Sequence, residues 1–319
     1  MKSRKFMVGV TTLAFSALLL GACGADNASD DTAATTTNTS QTADTEESAA
    51  TEESAATEES AAKVIAGAPM QDGTYTLKEK NDKNGYHTEF SITVKDGKIT
   101  ESNYDNVNAD GKSKVDDADY NKNMKDKAGI APEEFIPKFN EELVAKQDPS
   151  AIEVVSGATH SFDSFQNYAQ QLIQAAQAGN TDVIEIDNGA ELKDGTYTLK
   201  EKNDKNGYHV EFSITVKDGK VTESNYDNVN ADGESKKDDA DYNKNMKDKA
   251  GIAPEEFIPK FNEELVAAMG EEEGSPANMD VVSGATHSFH TFVIYAQQLL
   301  NAAEKGDTAV IEVDNFVTE

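Results

Sequence analysis

The sequence predicts an α+β fold built twice in tandem, and two observations carry that prediction. Asp72 to Ala145 returns as Asp194 to Ala267, displaced by 122 residues. Only Thr88/Val210, Ile99/Val221, Lys112/Glu234 and Val115/Lys237 differ. Within each copy, strand-like alternation comes first, helical periodicity follows, and a short apolar run ends the unit. A period this long marks duplication of a whole domain, since stacked repeats recur every ~20–50 residues. The units are expected at 69–189 and 190–319.

Each element has its own signal. Thr74 to Lys80 alternates as a strand. Tyr86 to Lys95 and Lys98 to Val107 form two more, joined by Asp96-Gly97, a two-residue hairpin turn. Asp119 to Ala128 reads as a short helix stopped by Gly129. Pro137 would break a helix interior, so the next helix is expected to start there and run to Ala145. Ser161 to Ala178 is the strongest helix: Phe162, Phe165, Leu172, Ile173 and Ala176 share one face, and Gly179 closes it. Val183, Ile184 and Ile186 predict a closing strand. The second copy has five more residues around Met269 to Asp280, after which Val281 to Phe289 matches Val154 to Phe162.

The N-terminus predicts the compartment. Lys2, Arg4 and Lys5 precede an apolar run of 15 residues, Phe6 to Leu20. A membrane span needs about 20 residues, so the run suits a secretory signal over 1–22. It ends in Leu20-Gly21-Ala22-Cys23, a pattern that resembles the lipobox of bacterial lipoproteins. The alternative is an ordinary signal peptide ending near a cysteine. Cys23 is the single cysteine of the chain, so it would carry the acyl chains, palmitate among them, and no thiol would remain for redox chemistry. Residues 23–68 are rich in Ala, Thr, Ser and Glu, with three copies of Thr-Glu-Glu-Ser-Ala-Ala between Thr45 and Ala62. Lacking an apolar stripe, they predict a disordered tether, extended by charge. The expected location is the outer face of the cell membrane, reaching into a Gram-positive cell wall. A net charge of −30 argues against nucleic acid or anionic lipid as partners.

One segment carries chemistry: Val155-Ser156-Gly157-Ala158-Thr159-His160-Ser161, recurring as Val282-Ser283-Gly284-Ala285-Thr286-His287-Ser288. Small residues and hydroxyls lead directly into the best helix. Two readings follow. The free N–H groups and positive end of the helix make a phosphate site, or the hydroxyls merely cap the helix.

The segment resembles the flavinylation motif of the FMN-binding domain family, Asp-x-x-Ser/Thr-Gly-Ala-Thr-x-Ser/Thr. That family includes subunits of the sodium-pumping NADH:quinone reductase and the Rnf complex. Asp72-Gly73-Thr74-Tyr75, Gly85-Tyr86 and Val94-x-Asp96-Gly97-Lys98-Ile99 also match its pattern. The resemblance implies two FMN groups, each joined as a phosphoester to Thr159 or Thr286 by a flavin transferase that uses FAD. Ser156, Gly157, Ala158 and Ser161, with Ser283, Gly284, Ala285 and Ser288, would contact the phosphate or shape the loop. Asp280 completes the motif in the second copy. Glu153 replaces that aspartate in the first, which makes Thr286 the firmer site; the transferase is the expected reader of this position.

The whole chain is similar to Gram-positive flavinylated lipoproteins of extracellular electron transfer. That similarity implies a carrier, not an enzyme with its own substrate pocket. Electrons would arrive from a membrane quinol-linked donor and leave to extracellular acceptors such as ferric iron. The alternative is a lipid-anchored binding or adhesion module for a wall or host ligand. No catalytic or metal site is expected. His160 and His287 are candidate proton partners or simply exposed. His87, His209 and His290 form no metal set. Tyr86, Tyr104, Tyr208 and Tyr226 could stack on a ring or serve the core. Asp116-Asp117-x-Asp119 lacks the spacing of a calcium loop.

Overall fold

Alternation in the sequence becomes a sheet face in the computed structural model, which describes residues 64–271 and 274–318. The predicted leader, Cys23 and the tether up to residue 63 lie outside the described residues. The chain runs β1 (Val64–Ala66), β2 (Gly73–Glu79), β3 (His87–Lys95), β4 (Lys98–Val107), α1 (Ala118–Ala128), α2 (Pro132–Lys146), α3 (Thr159–Ala178) and β5 (Ile184–Ile186). The second repeat gives β6 (Gly195–Glu201), β7 (His209–Lys217), β8 (Lys220–Val229), α4 (Ala240–Ala250), α5 (Pro254–Met269), α6 (Thr286–Lys305) and β9 (Ile311–Val313). A last strand, β10 (Val317–Thr318), follows.

Each repeat is α+β, with a four-stranded sheet in the order β4-β3-β2-β5 or β8-β7-β6-β9. The first three strands are antiparallel; the closing strand lies parallel to β2 or β6. That parallel pair is possible because the long excursion through the helices supplies the crossover it needs. Asp96 and Gly97 both have positive φ, 52° and 73°, as a two-residue hairpin turn between twisted strands requires.

Two helix starts differ from the sequence reading by more than one residue. The second helix begins at Pro132, not Pro137, and Pro137 lies inside it. Pro132 takes the first position, where a missing N–H costs nothing. Pro137 is on the exposed face, so the Glu133 carbonyl it leaves without a helical donor is within reach of water. The third helix begins at Thr159, two residues before Ser161, which places the threonine within the first turn.

The core of each repeat is aromatic. Phe90 and Tyr104 from the sheet meet Phe165 from α3 and Phe139 from α2, with the rings of Phe165 and Phe139 5.0 Å apart. Phe212, Tyr226, Phe292 and Phe261 repeat the arrangement. The edge strand β4 is closed by a side chain. Asn140 Oδ1 accepts from Tyr104 N at 2.7 Å and its Nδ2 donates to Tyr104 O at 3.0 Å, as a neighbouring strand would. Asn262 does the same for Tyr226.

The two repeats meet through α3 and α6, where Asn167 and Gln171 donate to Asn301 Oδ1 at 3.0 and 3.2 Å. Val64–Ala66, within the stretch assigned to the tether, forms a strand with Val317–Thr318. Phe316 packs against the core of the first repeat, so the end of the second repeat is fastened to the first.

One half-buried acid carries a pH consequence. Burial pushes the Asp163 carboxyl on α3 up to about 7, and its Oδ2 has no hydrogen-bond partner among the described residues. The native state therefore keeps a proton that the unfolded chain releases from about pH 4 upward. The associated stability is complete below pH 4 and lost as pH rises through about 7. Asp163→Asn keeps the shape without the charge. The variant should exceed wild type by roughly 1–3 kcal/mol above pH 7 and match it near pH 4. Thermal melts at the two pH values check this; a difference independent of pH would sink it.

Candidate functional site

The loop before α3 is fixed by two constraints on one glycine. Gly157 has φ +83°, and a Cβ there would collide with the Ala128 carbonyl oxygen and approach Ile130 Cγ2 at 3.1 Å. Gly284 stands in the same position against Ala250 and Ile252. The room that glycine makes is thus taken by the protein's own backbone at the end of α1 or α4. Val155 and Ala158 are buried, and Ala158 N donates to Val155 O at 3.0 Å. These contacts turn the loop so that α3 starts at a defined point on the surface.

The loop hydroxyls do not cap these helices. The N-cap of α3 is Ala158, that of α6 is Ala285, and neither has a side-chain capping bond. Thr159 and Thr286 are the first helical residues, one position too late to cap. Neither helix has an acidic residue in its first turn. By contrast, α1 is capped by Asp117, and Glu134 reaches back to Ala131 N at the start of α2. Two helices of 20 residues therefore present uncapped N-termini, each with the positive end of its dipole unneutralised by its own side chains.

The predicted residues are brought together in both repeats. Ser156 and Thr159 are exposed, Ser161 is half-buried and Ala158 is buried. Ser283, Thr286, Ser288 and Ala285 follow the same pattern. Tyr104 Oη reaches Ser161 O at 3.4 Å, linking the core to the site. Glu153 and Asp280 are exposed. Desolvation, reinforced by Lys205 and opposed by Asp148, holds the His287 imidazole below its ordinary range. A neutral histidine keeps a donor and an acceptor beside the threonine. The residues present thus fit a phosphate ester: a hydroxyl open to modification, uncapped amides, and no first-turn carboxylate to repel the anion.

Other candidates have structural duties. Tyr104 and Tyr226 belong to the core, each 2% exposed. Tyr86 Oη donates to Asp117 Oδ2 at 2.6 Å, which pushes its phenol up to about 12. His87 Nδ1 lies 2.8 Å from Asp82 Oδ1. No group of three metal-ligating side chains occurs among the described residues. Sequence reasoning missed a cluster at the start of β3 and its counterpart at β7. Lys114 Nζ lies 4.6 Å from the centre of the Tyr86 ring and 4.7 Å from that of Tyr120, and Lys236 does likewise with Tyr208 and Tyr242. Glu79 accepts from Thr88 N and Tyr168 Oη at 2.8 and 2.6 Å beneath the sheet. The available signal was the glutamate at the end of a strand that otherwise buries every second side chain.

The FMN-binding domain family matches residues 85–174. The 15 kDa lipoprotein of Treponema pallidum (strain Nichols) is 33% identical over 116 residues, 36% of this chain and 82% of that protein. A crystal structure of a Clostridium perfringens protein is 38% identical, covering 37% of this chain and 98% of its own, with a TM-score of 0.35. A solution structure of a Clostridium thermocellum protein is 27% identical over 34% of this chain and 92% of its own, with a TM-score of 0.24. The chain belongs to the FMN-binding domain family.

Gly157→Ala should destabilise more than Gly129→Ala. Both glycines have positive φ, but a Cβ at Gly129 meets nothing within 4 Å. Strain alone predicts about 1 kcal/mol at Gly129, and the added collision about 2–4 kcal/mol at Gly157. Chemical denaturation measures both, and equal losses would remove the close approach from the argument.

Proposed function

We propose that this protein is a surface lipoprotein that carries electrons on two FMN groups, bound covalently through Thr159 and Thr286. One observation carries the reading: in a chain of the FMN-binding domain family, an exposed threonine opens an uncapped helix, twice. The anchor is Cys23, in keeping with the name of the Treponema relative and with the lipobox pattern. The donor is a membrane quinol-linked system, and the acceptors are extracellular oxidants such as ferric iron.

The attachment step balances as a phosphoryl transfer. A flavin transferase brings FAD, and the threonine Oγ attacks the phosphorus on the FMN side of the anhydride. The new P–O bond makes the phosphoester, the anhydride bond breaks to release AMP, and the hydroxyl proton is lost to base. The helix N–H groups would hold the phosphate, and Ser156 and Ser161 would offer hydroxyl donors, as would Ser283 and Ser288 in the second repeat. Bound FMN supplies one- and two-electron transfer, chemistry that no side chain here provides. A covalent link suits a protein outside the membrane, where a dissociated cofactor is lost. The aromatic core and the glycine contact of the loop fix each helix start, so the two carriers keep separate seats.

Co-expression with a flavin transferase should give a yellow protein whose colour survives denaturation. Its intact mass should rise by two FMN units less two waters. Thr159→Ala and Thr286→Ala should each remove one unit, and the double variant both. A colourless protein of unshifted mass would favour the binding-module alternative. Glu153→Asp restores the family's aspartate and should raise occupancy at Thr159 without changing Thr286, read by peptide mass spectrometry.

A further inference from the structure

The first repeat has a cleft where the second repeat has a lysine. A cavity of about 390 Å³ opens between β4, the segment after it and α2; Asp105, Ser113, Val115, Asp116, Ile136 and Asn140 are among its lining residues. Asp105 accepts from Asn106 N at 2.7 Å and from Ser113 Oγ at 3.0 Å. It is half-buried, and burial together with Asp116 raises its carboxyl above the ordinary range.

The second repeat shows what this arrangement holds. Asp227 accepts from Asn228 N and Ser235 Oγ, both at 2.8 Å, matching Asp105. Lys237 Nζ then reaches Asp227 Oδ2 at 2.8 Å and Ser235 Oγ at 3.1 Å. Lys237 is one of the four differences between the long matching segments, and its counterpart is Val115. The neighbouring Lys114 does not take its place. Its ammonium lies over Tyr86 and Tyr120, just as Lys236 lies over Tyr208 and Tyr242.

We propose that the cleft of the first repeat binds a primary ammonium group on an alkyl chain, an alkylamine or a lysine side chain. Asp105 and Ser113 hold it as Asp227 and Ser235 hold Lys237. The carboxylate supplies charge, the hydroxyl oxygen accepts a second N–H, and Val115, Ile136 and Pro137 flank the alkyl chain. A bare divalent ion suits the site less well. It prefers six or more oxygen ligands, whereas here apolar side chains form part of the wall. The site is independent of the flavin reading and stands or falls separately.

The test is an NMR titration of the full-length protein with n-butylammonium, with tetramethylammonium at equal ionic strength as control. The control carries the same charge but donates no N–H. Saturable shifts are expected at the Asn106 and Val115 amides with the first ion only. Val115→Lys should abolish them by supplying the ammonium internally, and Asp105→Asn should abolish them while leaving the Ser113 hydroxyl a partner. Lys237→Val should open a second site, read at Asn228. Absence of saturation in wild type, equal shifts with both ions, or shifts that persist in both Val115→Lys and Asp105→Asn would overturn the proposal.

Discussion

The aromatic cluster of Phe90, Tyr104, Phe139 and Phe165 decides where everything else in a repeat can lie. It joins three elements far apart in sequence: the antiparallel sheet, α2 and α3. All four rings are essentially buried, and aromatic pairs of this kind add about 0.5–1.5 kcal/mol each beyond the area they bury. Their greater importance is geometric. Once Phe165 is packed against Phe90 and Phe139, α3 cannot slide along its axis without breaking stacked contacts. The position of its first residue is therefore set by the core. Tyr104 extends the constraint outward through its hydroxyl to Ser161 O, within the first turn that carries Thr159.

That chain of contacts explains why a surface threonine can be positioned without a pocket around it. The loop adds a second constraint from the opposite side, through Gly157 against the Ala128 carbonyl. Core and loop together fix the first turn, and the missing side-chain cap leaves its amides available. An ordinary helix of this length would gain about 0.5–2 kcal/mol from a capping side chain. Here Ala158 and Ala285 forgo that gain in both repeats, at the places where the family motif has its alanine. The concession makes physical sense where an anion supplies the cap.

Much of this was legible in the sequence because it rests on local patterns. The hairpin at Asp96-Gly97, the stops at Gly129 and Gly179 and the α3 apolar face each need only a few adjacent residues. What was not legible depends on neighbours distant in the chain. Pro137 looked like a helix start because nothing local reveals that its face is wet. The sequence leaves Gly157 either to the phosphate or to the shape of the loop, since only the folded chain brings Ala128 beside it. Asn140 gave no signal at all: an asparagine in a helix does not announce that it will pair with an edge strand. The parallel placement of β5 likewise follows from the crossover, and Val64–Ala66 joins a strand whose partner is more than 250 residues away.

The differences between the repeats follow a physical rule that identity alone does not reveal. Along α3 and α6 most residues facing each sheet are unchanged: Phe162/Phe289, Phe165/Phe292, Tyr168/Tyr295, Ala169/Ala296, Leu172/Leu299 and Ala176/Ala303, while Ile173/Leu300 exchanges one aliphatic side chain for another. Polar changes fall elsewhere, at Gln166/Val293, Asn167/Ile294, Gln174/Asn301 and Gln177/Glu304. Several of these meet the other repeat: Asn167 bonds Asn301, and Gln177 Nε2 donates to Asp314 O at 2.7 Å. A duplicated domain keeps the same internal partners but acquires its own sister as a new one. The surface facing the sister is then free to become asymmetric, because the two copies no longer have equivalent surroundings. Position 163 differs as well. An acid there and a histidine at 290, each one helical turn beyond its threonine, give two otherwise matching seats opposite responses to pH. Burial raises the Asp163 carboxyl and lowers the His290 imidazole, so each helix favours the uncharged form by protonation in one repeat and by deprotonation in the other. The scaffold of the site is copied, while the electrostatics one turn away from it are not.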